Sequence, residues 1–214
     1  MFDQPLPVPG SWFSLILAFG GGYLLGSLPF GLIFTRWAGA GDIRRVGSGN
    51  IGATNVLRTG RKGLAAATLI ADILKGLLPV ALADAWIGAG GAMVAGLGAV
   101  LGHCFPVWLR FRGGKGVATA TGAVAAFTPF LLLLLAGVFV AILVASRYVS
   151  LASISAAVLA PILALLLGDL QAAELYVFFA AIVLVRHSDN IRRLLAGTEN
   201  RFEWRWGQPG PSST

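Results

Sequence analysis

Long apolar stretches alternate with short polar connections along the chain, and the stretches have the length of membrane helices. Residues 12–34, 63–83, 86–106, 149–167 and 172–185 are apolar runs with few charges. The first would rise about 34 Å as a helix, enough for a hydrocarbon core of about 30 Å. The run 172–185 is short for a crossing, so its helix is expected to start nearer the interface. Thr128 and Pro129 interrupt a further apolar run between 117 and 145. Proline removes a backbone donor and biases the preceding residue away from helix. Two helices, 117–127 and 130–145, dipping in and returning to the same side, are preferred to one crossing. The pattern predicts an all-α integral membrane protein of seven membrane helical segments, the fourth and fifth short or re-entrant.

Charge orients these segments. Arg36, Arg44, Arg45, Arg58, Arg61 and Lys62 crowd the connection after the first span, Arg110, Arg112 and Lys115 follow the third, and Arg186, Arg192, Arg193, Arg201 and Arg205 follow the last. Cations collect on the cytoplasmic side. The alternate turns, at Asp84 and at Gly168 and Asp169, carry none, and residues 1–10 hold Asp3 and prolines without a cation. The N-terminus is therefore expected outside and the C-terminus in the cytoplasm. A single crossing over 117–145 would put Arg147 and the basic C-terminus outside, which is the second reason to expect a hairpin there. Residues 1–205 read as one polytopic domain, and 206–214 as a polar, disordered tail rich in proline and glycine.

Composition acts mainly by exclusion. Hydrophobic residues make up 57% of the chain and charged residues 12%, with a mean hydropathy of +0.80, far from a soluble average of about 25% charged. The net charge of +7 follows the positive-inside pattern, so nucleic acid is not an expected partner. Cys104 is the lone cysteine; it permits no internal disulfide and makes no metal-ligand spacing. Neither a metal nor an organic cofactor is expected. Within the second span Asp72 and Lys75 lie at i,i+3, where mutual neutralisation in the bundle is the favoured reading. His103, near the end of the third span, fits a packed, hydrogen-bonded histidine as well as a working one.

The candidate chemistry sits in the polar connections. Residues 47–58, GSGNIGATNVLR, set Ser48, Asn50, Thr54, Asn55 and Arg58 among Gly47, Gly49 and Gly52. Bare backbone amides of this kind close around an anion, and an arginine can fork onto a phosphate oxygen pair. Asn55 and Arg58 are i,i+3, so one helical face would present both. Residues 112–116, RGGKG, frame Lys115 with Gly113, Gly114 and Gly116, which suits backbone approaching a ligand beside a point charge. In the third run, 186–193, His187 and Asn190 are again i,i+3. Blander readings stand beside these: a flexible glycine turn, a positive-inside loop, and a surface helix on headgroups. GSGNIG matches the dinucleotide fingerprint only formally, because no strand precedes it, and RGGKG lacks the spacing of a P-loop. All three runs share one side of the predicted map, so a single interfacial pocket can hold phosphate groups with all of them.

These runs, extended to 47–58, 102–119 (GHCFPVWLRFRGGKGVAT) and 187–199 (HSDNIRRLLAGTE), resemble the bacterial membrane-embedded glycerol-3-phosphate acyltransferases that use acyl phosphate, the PlsY type. The resemblance covers nearly the whole chain. It implies a seven-helix fold in the bacterial cytoplasmic (inner) membrane and a cytoplasm-facing site. It also implies transfer of a fatty acyl group to the 1-hydroxyl of sn-glycerol 3-phosphate, giving lysophosphatidic acid and inorganic phosphate. It points to Ser48, Asn50, Asn55 and Arg58, to Lys115 with its flanking glycines, and to His187, Asn190 and Glu199. Family members often carry a basic residue after the third-run histidine, where this chain has Ser188. On this reading Ser48, the first-run amides and Lys115 hold the acyl phosphate, while Arg58, Asn190 and His187 orient glycerol 3-phosphate. The hydroxyl proton goes either to a substrate phosphate oxygen or to His187. Acyl phosphate, glycerol 3-phosphate and membrane lipid are the expected partners of a monomer, with the enzyme that makes acyl phosphate a candidate partner. An anion transporter and a scaffold protein are the rival classes.

Overall fold

The computed structural model describes residues 12–202. The outer tail expected at 1–10 and the disordered tail expected at 206–214 lie outside the described residues. Among the described residues ten helices follow one another: α1 (Trp12–Gly26), α2 (Phe30–Trp37), α3 (Ala53–Leu57), α4 (Lys62–Ile87), α5 (Ala89–Cys104), α6 (Val117–Phe127), α7 (Pro129–Ser146), α8 (Val149–Leu166), α9 (Leu170–Arg186) and α10 (Ser188–Leu195). Short 3-10 turns at Ile43–Arg45 and Val107–Leu109 punctuate two of the polar connections. No strand occurs among the described residues.

Five segments are long and apolar enough to cross a membrane: Trp12–Trp37, Lys62–Ile87, Ala89–Leu109, Pro129–Ser146 and Val149–Leu166. Leu170–Arg186 with Ser188–Leu195, bent by 63°, makes a sixth if the pair counts as one span. The chain is thus an all-α, multi-pass membrane protein. All seven expected segments exist as helices, but α6 has 11 residues, about 16 Å of rise, and cannot cross by itself. α7, its partner in the expected hairpin, has 18 residues and is long enough alone.

The sequence pattern locates most helix ends and misses one break. The first span, expected as an unbroken helix over 12–34, stops at Gly26 and restarts at Phe30. Pro29 is the cause, since it has no N–H and its ring excludes a continuing turn. Ser27 ties off the broken end through Oγ to the Tyr23 carbonyl, 2.7 Å. The Leu28 carbonyl, freed by the break, takes a donor from another helix, Lys75 Nζ at 2.8 Å. That ammonium also sits 2.7 Å from Asp72 Oδ1, so the acid and base of the second span do neutralise one another. The last span starts at Leu170 rather than 172 because Asp169 caps it, accepting from the Ala172 amide at 2.9 Å.

Small residues set how closely the helices approach. Gly22 and Gly26 on α1 lie against the backbone of Ala95 and Ala99 on α5, and Gly98 and Gly102 on α5 lie against that of Phe19 and Tyr23. A Cβ at any of these four glycines would overlap the facing backbone. Lipid tails are as apolar as leucine, so such close approach and its dispersion contacts, not water exclusion, hold membrane helices together. Gly76 of α4 and Gly122 of α6 do the same for that pair. A large apolar cluster joins α4, α5, α6, α7, α8 and α9, around Val100, Phe127, Tyr176 and Phe179. Thr128, at the α6–α7 break, meets the Tyr176 hydroxyl at 2.5 Å and shares a shallow cavity with Leu167 and Asp169. α6 therefore starts at the Lys115 connection and ends beside the α8–α9 turn.

Candidate active site

Each of the three polar runs is built by a different local device, and the devices bring them to one end of the bundle. In the first run Asn55 is 2% exposed and organises the loop ahead of it. Its Nδ2 lies 3.0, 2.9 and 2.8 Å from the carbonyls of Ile43, Val46 and Asn50. Its Oδ1 accepts from the Ser48 amide at 3.0 Å. Asn50 makes a turn of its own, its Oδ1 accepting from the Gly52 amide at 2.8 Å. Gly47, at φ +55°, sits where a Cβ would stand 2.5 Å from Asn55 Oδ1 and 3.0 Å from Arg58 Cδ. Gly49 is also left-handed, and Gly52 is the N-cap of α3. Ser48, Thr54 and Arg58 are exposed.

Of Asn55 and Arg58, expected to present one helical face, Asn55 turns its side chain to the preceding loop. Its amide is consumed by the loop, and Arg58, the C-cap of α3, faces outward without it. Asn55→Ala should leave the Ser48 amide and the carbonyls it served without their partner, a loss of about 3 kcal/mol. The expected readout is a lowered thermal unfolding midpoint in detergent; a midpoint equal to the parent's would refute this role.

The second run folds back onto the end of α5. The Gly113 amide donates to the Cys104 carbonyl at 3.1 Å and the Gly114 amide to the His103 carbonyl at 3.0 Å. Residues 105–112 are thus an excursion, turned at Arg110 and Phe111 by φ of 52° and 62°. Gly116, the left-handed N-cap of α6, ends the loop. Arg186 clamps it from α9, with Nε 2.9 Å from the Gly114 carbonyl and Nη2 2.8 Å from that of Gly113. Its guanidinium lies 5.3 Å from the Phe105 ring centroid.

The third run turns at His187, between α9 and α10. Its Nδ1 is 2.8 Å from the Val183 carbonyl; a carbonyl only accepts, so the proton sits on Nδ1 and Nε2 is the other ring nitrogen. Asn190 joins the runs, its Oδ1 accepting from Lys115 Nζ at 2.5 Å and its Nδ2 donating to Glu199 Oε1 at 2.6 Å. Glu199 also accepts from Ser150 Oγ at 2.8 Å and from Arg193 Nε at 2.7 Å.

Glu199, expected to touch substrate, braces Ser150, Asn190 and Arg193. Three donors occupy its carboxylate, its side chain is 6% exposed, and its charge would repel a phosphate. Burial pushes this carboxyl up, but the bonds from Asn190, Arg193 and Ser150 outweigh it and hold the group below its ordinary range. Burial pulls the Lys115 ammonium down to about 8, with Glu199 opposing and Arg193, Arg58 and Arg186 adding repulsion. Lys115 therefore stands within the field of arginines from three separate elements. The Ile43, Val56 and Leu32 cluster packs against Leu109, which ties the first run to the second from the apolar side.

The result is a cationic cluster, with Arg58, Lys115, Arg186 and Arg193 set against the carboxylate of Glu199. It suits anionic oxygens and little else. No group of three His, Cys, Asp or Glu among the described residues could hold a metal ion. Sequence reasoning missed Arg186, Arg193 and Ser150. The two arginines lay inside the third run, but local sequence does not tell which of its cations turn inward. Ser150 meets Glu199 across 49 residues and carries no local signal.

A glycerol-3-phosphate acyltransferase family model matches residues 16–197. The glycerol-3-phosphate acyltransferase of Methylorubrum populi is 53% identical over 206 residues, covering 96% of this chain and 99% of its own. That of Rhizobium meliloti is 49% identical over 202 residues, covering 94% and 97%. The crystal structure of PlsY, an integral membrane glycerol 3-phosphate acyltransferase, in its glycerol 3-phosphate form, superposes with a TM-score of 0.83 at 40% identity, covering 91% of this chain and 96% of that one. Its lysophosphatidic acid form matches at 0.83 and 38%, covering 89% and 96%.

Proposed function

The chain belongs to the glycerol-3-phosphate acyltransferase family, and from that premise we infer that it acylates the sn-1 hydroxyl of glycerol 3-phosphate, with acyl phosphate as donor, to give lysophosphatidic acid and inorganic phosphate. The observation that carries the reading is the bond from Lys115 Nζ to Asn190 Oδ1 within reach of the Arg58 charge. It joins the second and third polar runs beside the first, and two phosphates need such a shared cationic floor.

An acyl phosphate is a mixed anhydride, so its leaving group is already good. The protein's task is to align two anions and offset their charge. Ser48, through its hydroxyl, and the first-run amides not already bonded within the loop hold the acyl phosphate, Arg58 and the third run hold glycerol 3-phosphate, and Lys115 stands between them. The sn-1 oxygen attacks the acyl carbon, the bond from that carbon to the phosphate oxygen breaks, and the hydroxyl proton passes to the departing phosphate. No further base is required. His187, with Nδ1 engaged by Val183, positions the glycerol end of the acceptor.

The site faces the cytoplasm, in a seven-segment arrangement with the N-terminus outside and α6 and α7 forming the hairpin. Supporting this, Arg36, Arg44, Arg45, Arg61 and Arg112 gather in the connections at the end that holds Lys115. We propose further that the protein works as a monomer and draws its donor from the enzyme that makes acyl phosphate. The test is to incubate detergent-purified protein with palmitoyl phosphate and glycerol 3-phosphate and assay lysophosphatidic acid. Product is expected; its absence would favour an anion transporter, which makes no covalent product in detergent.

The alkaline limb of the rate should belong to Lys115. kcat/KM reports the free enzyme, and the ammonium, with its pKa lowered to about 8, is the form that binds phosphate. kcat/KM is expected to be level well below pH 8, to reach half its plateau near pH 8 and to fall towards a tenfold loss per unit above it. A flat profile to pH 10 would show that the ammonium does not control binding.

A further inference from the structure

Beneath the Lys115 loop lies a buried polar cluster that the reaction as described does not use. Asp72 and Lys75 on α4 and His103 on α5 are 2%, 3% and 4% exposed. Lys75 Nζ is 2.7 Å from Asp72 Oδ1, and His103 Nδ1 is 3.8 Å from the same oxygen. His103 Nδ1 has no hydrogen-bond partner, while its Nε2 edge packs directly against Gly114, where an added Cβ would collide with the ring. The His103 carbonyl meanwhile accepts from the Gly114 amide at 3.0 Å. The imidazole thus touches, by ring and by backbone, the residue immediately before Lys115.

At its other end the cluster reaches the α1–α2 break. Lys75 donates to the Leu28 carbonyl at 2.8 Å and lies 5.7 Å from the Phe30 ring centroid. Beyond that break, α2 carries the first run: Leu32 packs with Ile43 and Val56, and Gly31 lies against the Ile51 backbone. One unbroken line of contacts therefore links the element that bears the first run to the loop that bears Lys115.

Stability does not account for this line. Withdrawing ionisable groups from water into a membrane bundle is expensive, and an uncharged set of similar volume commonly folds as well or better. What such a cluster supplies is a fixed geometry. We propose that Asp72, Lys75 and His103 act as an intramembrane brace that fixes the Lys115 loop relative to the first run, with His103 the positioning residue in contact with the loop. None of the three touches substrate. The proposal rests on the acyltransferase reading, and wild-type product formation checks that reading separately.

The test replaces the charged pair by the double variant Asp72→Asn, Lys75→Met and, in a second protein, His103→Gln. Folded yield, unfolding midpoint and the pH profile of kcat/KM are then measured with palmitoyl phosphate and glycerol 3-phosphate. Both variants are expected to fold and to lose about a hundredfold in kcat/KM, the scale of a misplacement of about 1 Å. The charged groups around Lys115 are Glu199, Arg58, Arg186 and Arg193, and Asp72, Lys75 and Arg186 face His103. None of the arginines or Glu199 is altered, so an upward move of the alkaline limb reports a Lys115 that has left its buried setting. Variants that turn over within about twofold of wild type, or that slow with the limb unmoved, overturn the proposal.

If either variant does not fold, an exchange of size decides. Gly114→Ala should cut kcat/KM severely, because its methyl group meets the His103 ring. The double variant His103→Ala, Gly114→Ala should then exceed Gly114→Ala by about tenfold. No recovery in the double variant overturns the contact and the brace with it.

Discussion

Replacing Lys115 by Ala is expected to lower kcat/KM about a thousandfold, the upper range for removing one preorganised donor from a charged transition state. The ammonium is half-buried between Asn190 Oδ1 and the arginines of three elements. In that setting it acts at low dielectric, where its field on a departing phosphate is stronger than in water. The fold should persist: the loop that carries Lys115 is held by the Gly113 and Gly114 amides and by Arg186, none of which involves the lysine side chain. The residual rate should also lose its alkaline limb near pH 8. Lysophosphatidic acid formation and the unfolding midpoint in detergent are the two measurements. Turnover within tenfold of wild type would remove Lys115 from the site.

Arg58→Ala is the second large effect, expected at several hundredfold in kcat/KM, on the order of 10² to 10³. Its cause differs. Arg58 is exposed, its side chain makes no hydrogen bond or ion pair among the described residues, and it lies across Gly47, where an added Cβ would stand 3.0 Å from its Cδ and 3.4 Å from its Nη1. A fully formed guanidinium fork with no protein partner is available to a phosphate oxygen pair. Its removal should leave the unfolding midpoint unchanged. Arg58→Lys keeps the charge and loses the fork, so it should recover only about tenfold of the loss. A Lys variant equal to wild type would mean that charge alone is read there, and an Ala variant equal to wild type would mean that Arg58 is not read at all.

The contrast between Asn55 and Arg58 shows where sequence reading stops. Both stand in one glycine-rich run, three positions apart, and residue type made both plausible phosphate ligands. The structure separates them, because the Asn55 amide faces the three carbonyls of the preceding loop and Arg58 caps α3 on the outside. Glu199 makes the same point in the third run. A carboxylate beside a phosphate is unfavourable, and only the contacts to Ser150, Asn190 and Arg193 reveal why one is tolerated there. Helix ends were more legible: the α6–α7 break at Thr128 and Pro129 follows from one ring and one missing N–H. The break at Pro29 has the same cause, yet the uninterrupted apolar run around it hid the signal.

Hydropathy and charge by themselves determined that this chain is a helical, multi-pass membrane protein with polar, basic connections, because lipid tolerates only backbone that satisfies its own hydrogen bonds. Residue type within those connections pointed to an anionic ligand. Tertiary structure alone decided which cations converge, since Lys115 and Asn190 are 75 positions apart and meet only after α5, α6 and α9 have packed. It also decided that Arg186 clamps the loop and that His103 supports it from below. Such pairings depend on how closely small residues let helices approach, a distance that no local pattern in the chain encodes.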